Sequence, residues 1–313
     1  MKELRDCRIV FMGTPEFAVA ILDKLVSEGC QVVGVVTAPD KPAGRGMQLT
    51  PSAVKKYALE KGLHVLQPHK LKAPEFLAEL AALNADLQVV VAFRMLPETV
   101  WNMPPLGTIN LHASLLPKYR GAAPINWAII NGERETGITT FKLQHAIDTG
   151  DVLMQQAIPI RDDETAGELH DEMKNLGATL VYQTLQHYVV GTLKPKPQAD
   201  LGDPTDLPSA PKIHTDTCKI DWTKSVKAVY DLVRGLSPYP AAFTFLEGKL
   251  LKVFKSEMKM AKVSQPGSYE SDGKTYLRFA AADGWLYLTE IQLEGKKRMA
   301  IEDFLRGYRL NAS

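Results

Sequence analysis

Apolar positions in the first half of the chain fall into two alternating patterns. Short β-branched runs are separated by stretches whose apolar residues recur at helical spacing. Arg8–Met12 reads as a buried strand and Pro15–Ser27 as an amphipathic helix with Phe17, Ile21, Leu22 and Leu25 on one face. Pro15 suits a first helical turn. Gln31–Thr37 predicts the next strand, Val54–Lys61 a helix, His64–Leu66 a short strand and Glu75–Leu83 a helix. Leu87–Ala92 and Gly107–His112 follow as strands. Strands alternating with helices predict an α/β domain, a Rossmann-like, doubly wound and mostly parallel sheet. Ligands of such sheets sit beyond the carboxyl ends of the strands. Gly13-Thr14, Thr37, Ala92-Phe93 and Asn110–His112 all fall at those ends.

Further on, Thr139–Leu143 and Val152–Ile158 predict two strands around a turn. Thr165-Ala166-Gly167-Glu168 has the form of a capping box and opens a long helix with Leu169, Met173, Leu176, Leu180 and Leu185 on its buried stripe. The tract 191–211 then concentrates Pro195, Pro197, Pro204, Pro208 and Pro211, which reads as a linker. Beyond it come a helix over Ser225–Leu236 and short strands over Ala242–Leu246, Leu250–Lys255, Thr275–Ala280 and Leu286–Gln292. Asp272-Gly273 and Asp283-Gly284 are turn signals. Several short strands of this kind predict a small OB-like β-barrel. The expected division is a first domain over 1–190, a linker over 191–211 and a second domain over 212–313.

At 313 residues, with 45% hydrophobic and 23% charged residues, the chain is an ordinary globular composition. No apolar run approaches the roughly 18 residues that a membrane helix needs. The acid-bearing N-terminus is not that of a signal peptide. Cys7, Cys30 and Cys218 have no metal-ligand spacing and read as reduced thiols of a cytoplasmic protein. The net charge of +1 hides an asymmetry: residues 208–313 carry +5 and residues 1–207 carry −4. A basic C-terminal segment fits a polyanionic partner, and it fits a lysine-rich solvated surface equally well.

Asn110 and His112 are two apart on a strand, so their side chains share a face. Asp148 lies in the turn Asp148-Thr149-Gly150-Asp151. Amide, imidazole and carboxylate could supply an oxyanion donor, a proton carrier and a group that orients it. A satisfied core histidine beside two turn-forming residues would leave the same pattern. Gly13-Thr14-Pro15 lacks the Gly-x-Gly-x-x-Gly form, and no acidic residue ends the second strand, which argues against a nicotinamide cofactor. The Gly- and Pro-rich segment Pro39–Pro51 carries Lys41 and Arg45 and reads as a binding arm or a plain solvated connection. The string Ser114–Ile125 mixes small, apolar and basic residues in a way a simple turn does not require.

With those segments in view, the chain resembles the formyltransferase family that uses 10-formyltetrahydrofolate. Phe11–Phe17, Pro39–Gly46, Asn110–Pro124, Ile147–Val152 and Lys219–Trp222 carry the resemblance over nearly the full length. It implies a catalytic domain followed by an OB-like domain that helps hold a tRNA. The family's catalytic Asn, His and Asp would be Asn110, His112 and Asp148. Its folate contacts would be Ser114, Leu115, Leu116 and Pro117, with Phe93, Arg94 and Leu96 from the segment after the fourth strand. Lys41, Arg45, Lys296, Lys297 and Arg298 are the candidates for tRNA. Two departures stand out: Ala92–Pro97 is one residue shorter than the family's pattern, and Ala113 replaces a glycine, which asks for a negative φ.

The reaction so implied is formyl transfer from 10-formyltetrahydrofolate to the α-amino group of methionine on initiator tRNA, without a metal. The chain is expected to act as a monomer and to have no membrane partner. Two rivals remain on the sequence alone. One is a same-fold formyltransferase acting on a small amine such as glycinamide ribonucleotide or an amino sugar nucleotide. The other is a tRNA-binding protein that has kept the fold without the chemistry.

Overall fold

A computed structural model of the chain describes residues 3–43, 48–146, 148–202 and 207–310. In chain order the elements begin β1 (Arg8–Gly13), α1 (Glu16–Ser27), β2 (Gln31–Val36), β3 (Lys41–Ala43), β4 (Gln48–Thr50) and α2 (Ala53–Glu60). Next come β5 (Val65–Leu66), α3 (Pro74–Ala82), β6 (Leu87–Val91), α4 (Glu98–Trp101), β7 (Thr108–His112) and α5 (Pro124–Ile130). They are followed by β8 (Glu135–Lys142), β9 (Val152–Pro159), α6 (Ala166–Val189), α7 (Thr215–Cys218) and α8 (Val226–Gly235). The last are β10 (Ala242–Leu246), β11 (Lys249–Met260), β12 (Tyr269–Ser271), β13 (Leu277–Ala280), β14 (Gly284–Leu293), β15 (Met299–Ala300) and α9 (Ile301–Gly307).

The chain forms two compact units. One takes residues 1–120, 137–158 and 170–208, and the other takes 121–136, 159–169 and 209–313. In the first unit a seven-stranded sheet runs in the order β5-β2-β1-β6-β7-β8-β9. The strands from β5 to β7 are parallel, and β8 is antiparallel to β7. The expected Rossmann-like sheet is thus present. Every residue of β6, and every residue of β1 after Arg8, is buried, as central parallel strands covered on both faces require. Close helix packing depends on Gly177 in α6, where a Cβ would meet Leu111 Cδ2 of β7 at 2.7 Å. Ser52 caps α2 by accepting from the Lys55 N–H, and Pro74 opens α3.

The segment 39–51, expected as a binding arm or a plain solvated connection, contains a two-stranded antiparallel ribbon in which Lys41 faces Thr50 across β3 and β4. Arg45 lies outside the described residues. The proline-rich tract is tied to the first unit: Lys196 exchanges two 2.8 Å backbone bonds with Val152, and Gln198–Leu201 forms a 3-10 turn. Among the described residues no helix is long and apolar enough to cross a membrane.

In the second unit the sheet order is β10-β11-β14-β13-β12, with β15 on β14. The pairing within it is antiparallel. β14 alternates buried and half-buried positions over most of its length, so one face meets a core of Leu251, Val253, Phe279, Leu286, Leu288 and Ile291. Irregularities in β11 around Lys255 let the sheet curl, which gives the OB-like form that the turn-punctuated strands predict. β11 continues to Met260, past the predicted Lys255, because Ser256–Met260 pair with Leu288–Gly284 even though their side chains are largely exposed. β13 starts later than predicted because the Asp272 carboxylate accepts the N–H groups of Lys274, Thr275 and Tyr276, which holds them in a turn.

The capping box at Thr165 is formed as its sequence suggests. Glu168 accepts from the Thr165 N–H at 2.9 Å and from its hydroxyl at 2.7 Å, while the Glu168 N–H donates back at 3.3 Å. The backbone bond, then the hydroxyl, hold the Glu168 carboxyl below its usual range. Thr165→Ala is expected to lower unfolding stability by about 1 kcal/mol, the usual worth of such a cap. A depressed native pKa gives stability that is present above the unfolded-state value and lost as pH falls through the folded one. The smaller deficit of Glu168→Gln is therefore expected at pH 7 and should vanish in acid; urea unfolding at neutral and low pH checks both.

Candidate active site

Asn110 and His112 project from β7, whose end lies next to β6 in the parallel part of the sheet. The Asn110 carboxamide is half-buried and makes no hydrogen bond to any described residue. His112 is buried, and its Nε2 lies 2.8 Å from the Tyr119 carbonyl oxygen. A carbonyl only accepts, so Nε2 carries a hydrogen and donates it. That leaves Nδ1 as the ring nitrogen able to exchange a proton. Nδ1 faces Asp148 Oδ2 at 3.9 Å, a gap that one water or a small movement closes.

The turn after β7 sets the Tyr119 carbonyl in place. Ser114 Oγ donates to the Lys118 carbonyl at 2.7 Å. Thr139 of β8 donates to the Ser114 carbonyl at 2.6 Å and accepts from the Leu116 N–H at 3.1 Å. Gln155 of β9 donates to the Leu116 carbonyl at 2.8 Å. Tyr119 itself is buried with φ +58°, in the left-handed region that a bulky residue seldom adopts. Ser114, Leu116 and Pro117 are buried too, leaving Leu115 the most accessible of the four proposed folate contacts. Leu116 packs with Phe141 and Val152. Ala113 keeps a negative φ.

Asp148 is 9% exposed and also left-handed, with φ +55°, a conformation aspartate tolerates better than most residues. Its loop turns tightly: a Cβ on Gly150 would lie 1.6 Å from the Lys142 carbonyl oxygen. Gln198, from the proline-rich tract, is buried against this loop. Its Nε2 donates to the carbonyls of Asp148 and Gly150, both at 2.8 Å, and its Oε1 accepts from Arg120. Sequence reasoning missed Gln198, Arg120 and the Thr139–Gln155 pair. The only signal was a polar residue set among prolines, which reads as linker.

The remaining candidates fall in several places. Phe93 and Leu96 pack on the core cluster that includes Val10, Val36 and Val90. The shortened segment begins with Ala92 at φ +46°. The Arg94 guanidinium donates to the carbonyls of Pro68 and His69 and lies over the Phe93 ring. Burial lowers its pKa from the ordinary value. Lys41 is exposed on β3. In the second unit, Lys296 and Lys297 are exposed, whereas Arg298 is held bidentately by Glu290 at 2.6 and 2.8 Å and covers the Phe254 ring.

The family model described as "Formyl transferase" matches residues 7–185, and that described as "Formyl transferase, C-terminal domain" matches residues 212–309. A methionyl-tRNA formyltransferase of Parabacteroides distasonis is 56% identical over 97% of this chain and 96% of its own length. One of Bacteroides fragilis is 54% identical over the same shares. Among solved structures, HypX from Aquifex aeolicus in complex with tetrahydrofolic acid superposes with a TM-score of 0.66 at 20% identity. That match spans 97% of this chain and about half of HypX, 48% of its length.

The geometry of the Asp148 loop gives one direct expectation. In Gly150→Ala the new methyl group must push against backbone, not a flexible side chain. The variant is expected to be destabilised by roughly 1–3 kcal/mol, the usual penalty of overpacking. Its crystal structure should show Asp148 farther from His112 than in the parent; an unchanged separation with unchanged thermal unfolding would contradict this.

Proposed function

The chain belongs to the formyl transferase family, and we propose that it transfers the formyl group of 10-formyltetrahydrofolate to the α-amino group of methionyl initiator tRNA. The product is formylmethionyl-tRNA for translation initiation. The observation that carries this reading is the grouping of an unengaged amide, an oriented imidazole and a carboxylate at the end of β7, in a chain more than half identical to methionyl-tRNA formyltransferases. The folate is a co-substrate. Leu115, Phe93 and Leu96 offer half-buried apolar surface for its flat pterin, and Ser114, Leu116 and Pro117 serve as the buried frame beneath.

The amine nitrogen attacks the formyl carbon, and charge builds on the formyl oxygen. The Asn110 amide donates to that oxygen, which is the contact expected to strengthen most in the transition state. The adduct holds one proton too many on the incoming nitrogen and none on N10 of the folate. His112 takes that proton at Nδ1 and delivers it to N10, while Asp148 balances the imidazolium charge. The C–N10 bond then breaks with tetrahydrofolate leaving neutral. Holding donor and acceptor together in one orientation supplies much of the rest.

Lys41, Arg45, Lys296 and Lys297 are assigned to tRNA phosphates. Arg298 is assigned a smaller share, because Glu290 already neutralises it. Residues 212–313 form the tRNA-holding domain of this reading, and 1–190 form the catalytic domain.

Single-turnover formylation of charged initiator tRNA by the purified protein tests the reading. Asn110→Ala is expected to slow the chemical step by about 10²–10³-fold, as loss of one oxyanion donor does elsewhere. His112→Ala within a few-fold of wild type would sink the proton-carrier role. Faster use of glycinamide ribonucleotide or an amino sugar nucleotide than of charged tRNA would favour the small-amine rival. For the C-terminal lysines, Lys296→Ala with Lys297→Ala should flatten the plot of log affinity against log salt by roughly one to two. An unchanged slope would leave both lysines as plain surface.

A further inference from the structure

We propose that Gln198 is a positioning residue for the formyl-transfer site, acting through the backbone of the Asp148 loop; this rests on the catalytic reading of Asp148 given above. Gln198 lies in a tract whose composition suggests a linker, yet it is 4% exposed and, among the described residues, its side chain bonds one loop and one arginine. Arg120 donates to Oε1 through both Nε, at 3.1 Å, and Nη2, at 2.6 Å. A guanidinium has only donors, so the amide can present only its oxygen there. Its NH₂ must therefore face the carbonyls of Asp148 and Gly150.

Those two carbonyls belong to the Asp148–Thr149 and Gly150–Asp151 peptide planes. Holding both with one rigid amide fixes the path of the chain after Asp148 and stabilises its left-handed backbone, which would otherwise relax toward ordinary φ values. The direction of the Asp148 side chain is fixed with it. Arg120 directly follows Tyr119, whose carbonyl holds His112 Nε2. A single dipeptide thus anchors His112 on one side and, through Gln198, Asp148 on the other. The paired backbone bonds between Lys196 and Val152 keep the Gln198 segment at the loop.

A displacement on the order of 1 Å in a catalytic group can cost about a hundredfold in rate. Gln198→Ala is accordingly expected to lower kcat by about 10- to 100-fold, with KM for tRNA and for the folate changed by less than about threefold. Gln198→Glu keeps the size and the Arg120 contact but turns an acceptor toward the two carbonyls. It should be impaired at least as much as the alanine variant, whereas a role in packing or in seating Arg120 predicts rescue. In an Asp148→Asn background, Gln198→Ala should add less than about threefold, because both changes act through one carboxylate.

The outcomes separate the two claims. If Asp148→Asn is nearly as active as wild type, the catalytic reading of Asp148 fails and Gln198 has nothing to position. If Asp148→Asn is impaired but Gln198→Glu restores activity, or if the two losses multiply, the catalytic reading stands and the Gln198 proposal is overturned. Failure of both Gln198 variants to fold, judged by thermal unfolding, also overturns it in favour of a structural role.

Discussion

The hydrogen bond from His112 Nε2 to the Tyr119 carbonyl is the constraint on which the site depends. It fixes the ring plane and leaves Nδ1 as the only nitrogen free to exchange a proton. That bond requires the carbonyl to point inward from a turn, and the turn requires Tyr119 to sit at φ +58°. Such a conformation persists only where the surroundings over-determine it. Here they do: Thr139 and Gln155 reach in from β8 and β9 to hold the backbone on either side of Leu115, and the Tyr119 N–H donates to Pro208 at 2.7 Å. Thr139, Gln155 and Pro208, which hold the turn from outside it, are not among the residues expected to meet the substrate.

The antiparallel step in the sheet explains why the carboxylate needs its own support. β8 runs opposite to β7, so Lys142 ends beside Ile109, at the beginning of the strand that carries His112. Three residues of strand span roughly 10 Å. The loop from Leu143 to Asp151 must cover that distance and return, since Lys142 already pairs with Asp151. Among its described residues, a loop obliged to double back forms no strand ladder to fix its tip. Gly150 gives it room to pass close to Lys142, and Gln198 supplies the donors that the missing ladder would have provided.

What the sequence discloses follows from the range of the interactions involved. The strands and helices of the first unit are legible because burial on two faces writes short runs rich in β-branched residues, such as Val89–Val91 in β6. The capping box at Thr165 is legible because its partners are three residues apart. Asn110 and His112 share a strand face, so their pairing is local as well. The left-handed Tyr119 is not legible, since nothing in a tyrosine signals positive φ. Gln198 is hidden for a different reason: its partners lie 48 to 78 residues away, and the prolines around it speak only of local stiffness.

The same distinction bears on the resemblance to known formyltransferases. At 20% identity, superposition with HypX speaks to the fold alone. Folds host many chemistries, so the argument for an acceptor amine has to come from elsewhere. More than half of the positions agree with methionyl-tRNA formyltransferases along 97% of the chain. The matched length includes the basic C-terminal segment, residues 208–313, with its +5 charge. A small amine needs no such surface, because its recognition fits within a pocket at the sheet. A tRNA carries tens of phosphates, and a segment of positive sign on a nearly neutral protein lowers the work of bringing that polyanion near. Charge of this kind suits a polyanionic partner, and Asn110, His112 and Asp148 form the site proposed to act on the amine that such a partner presents.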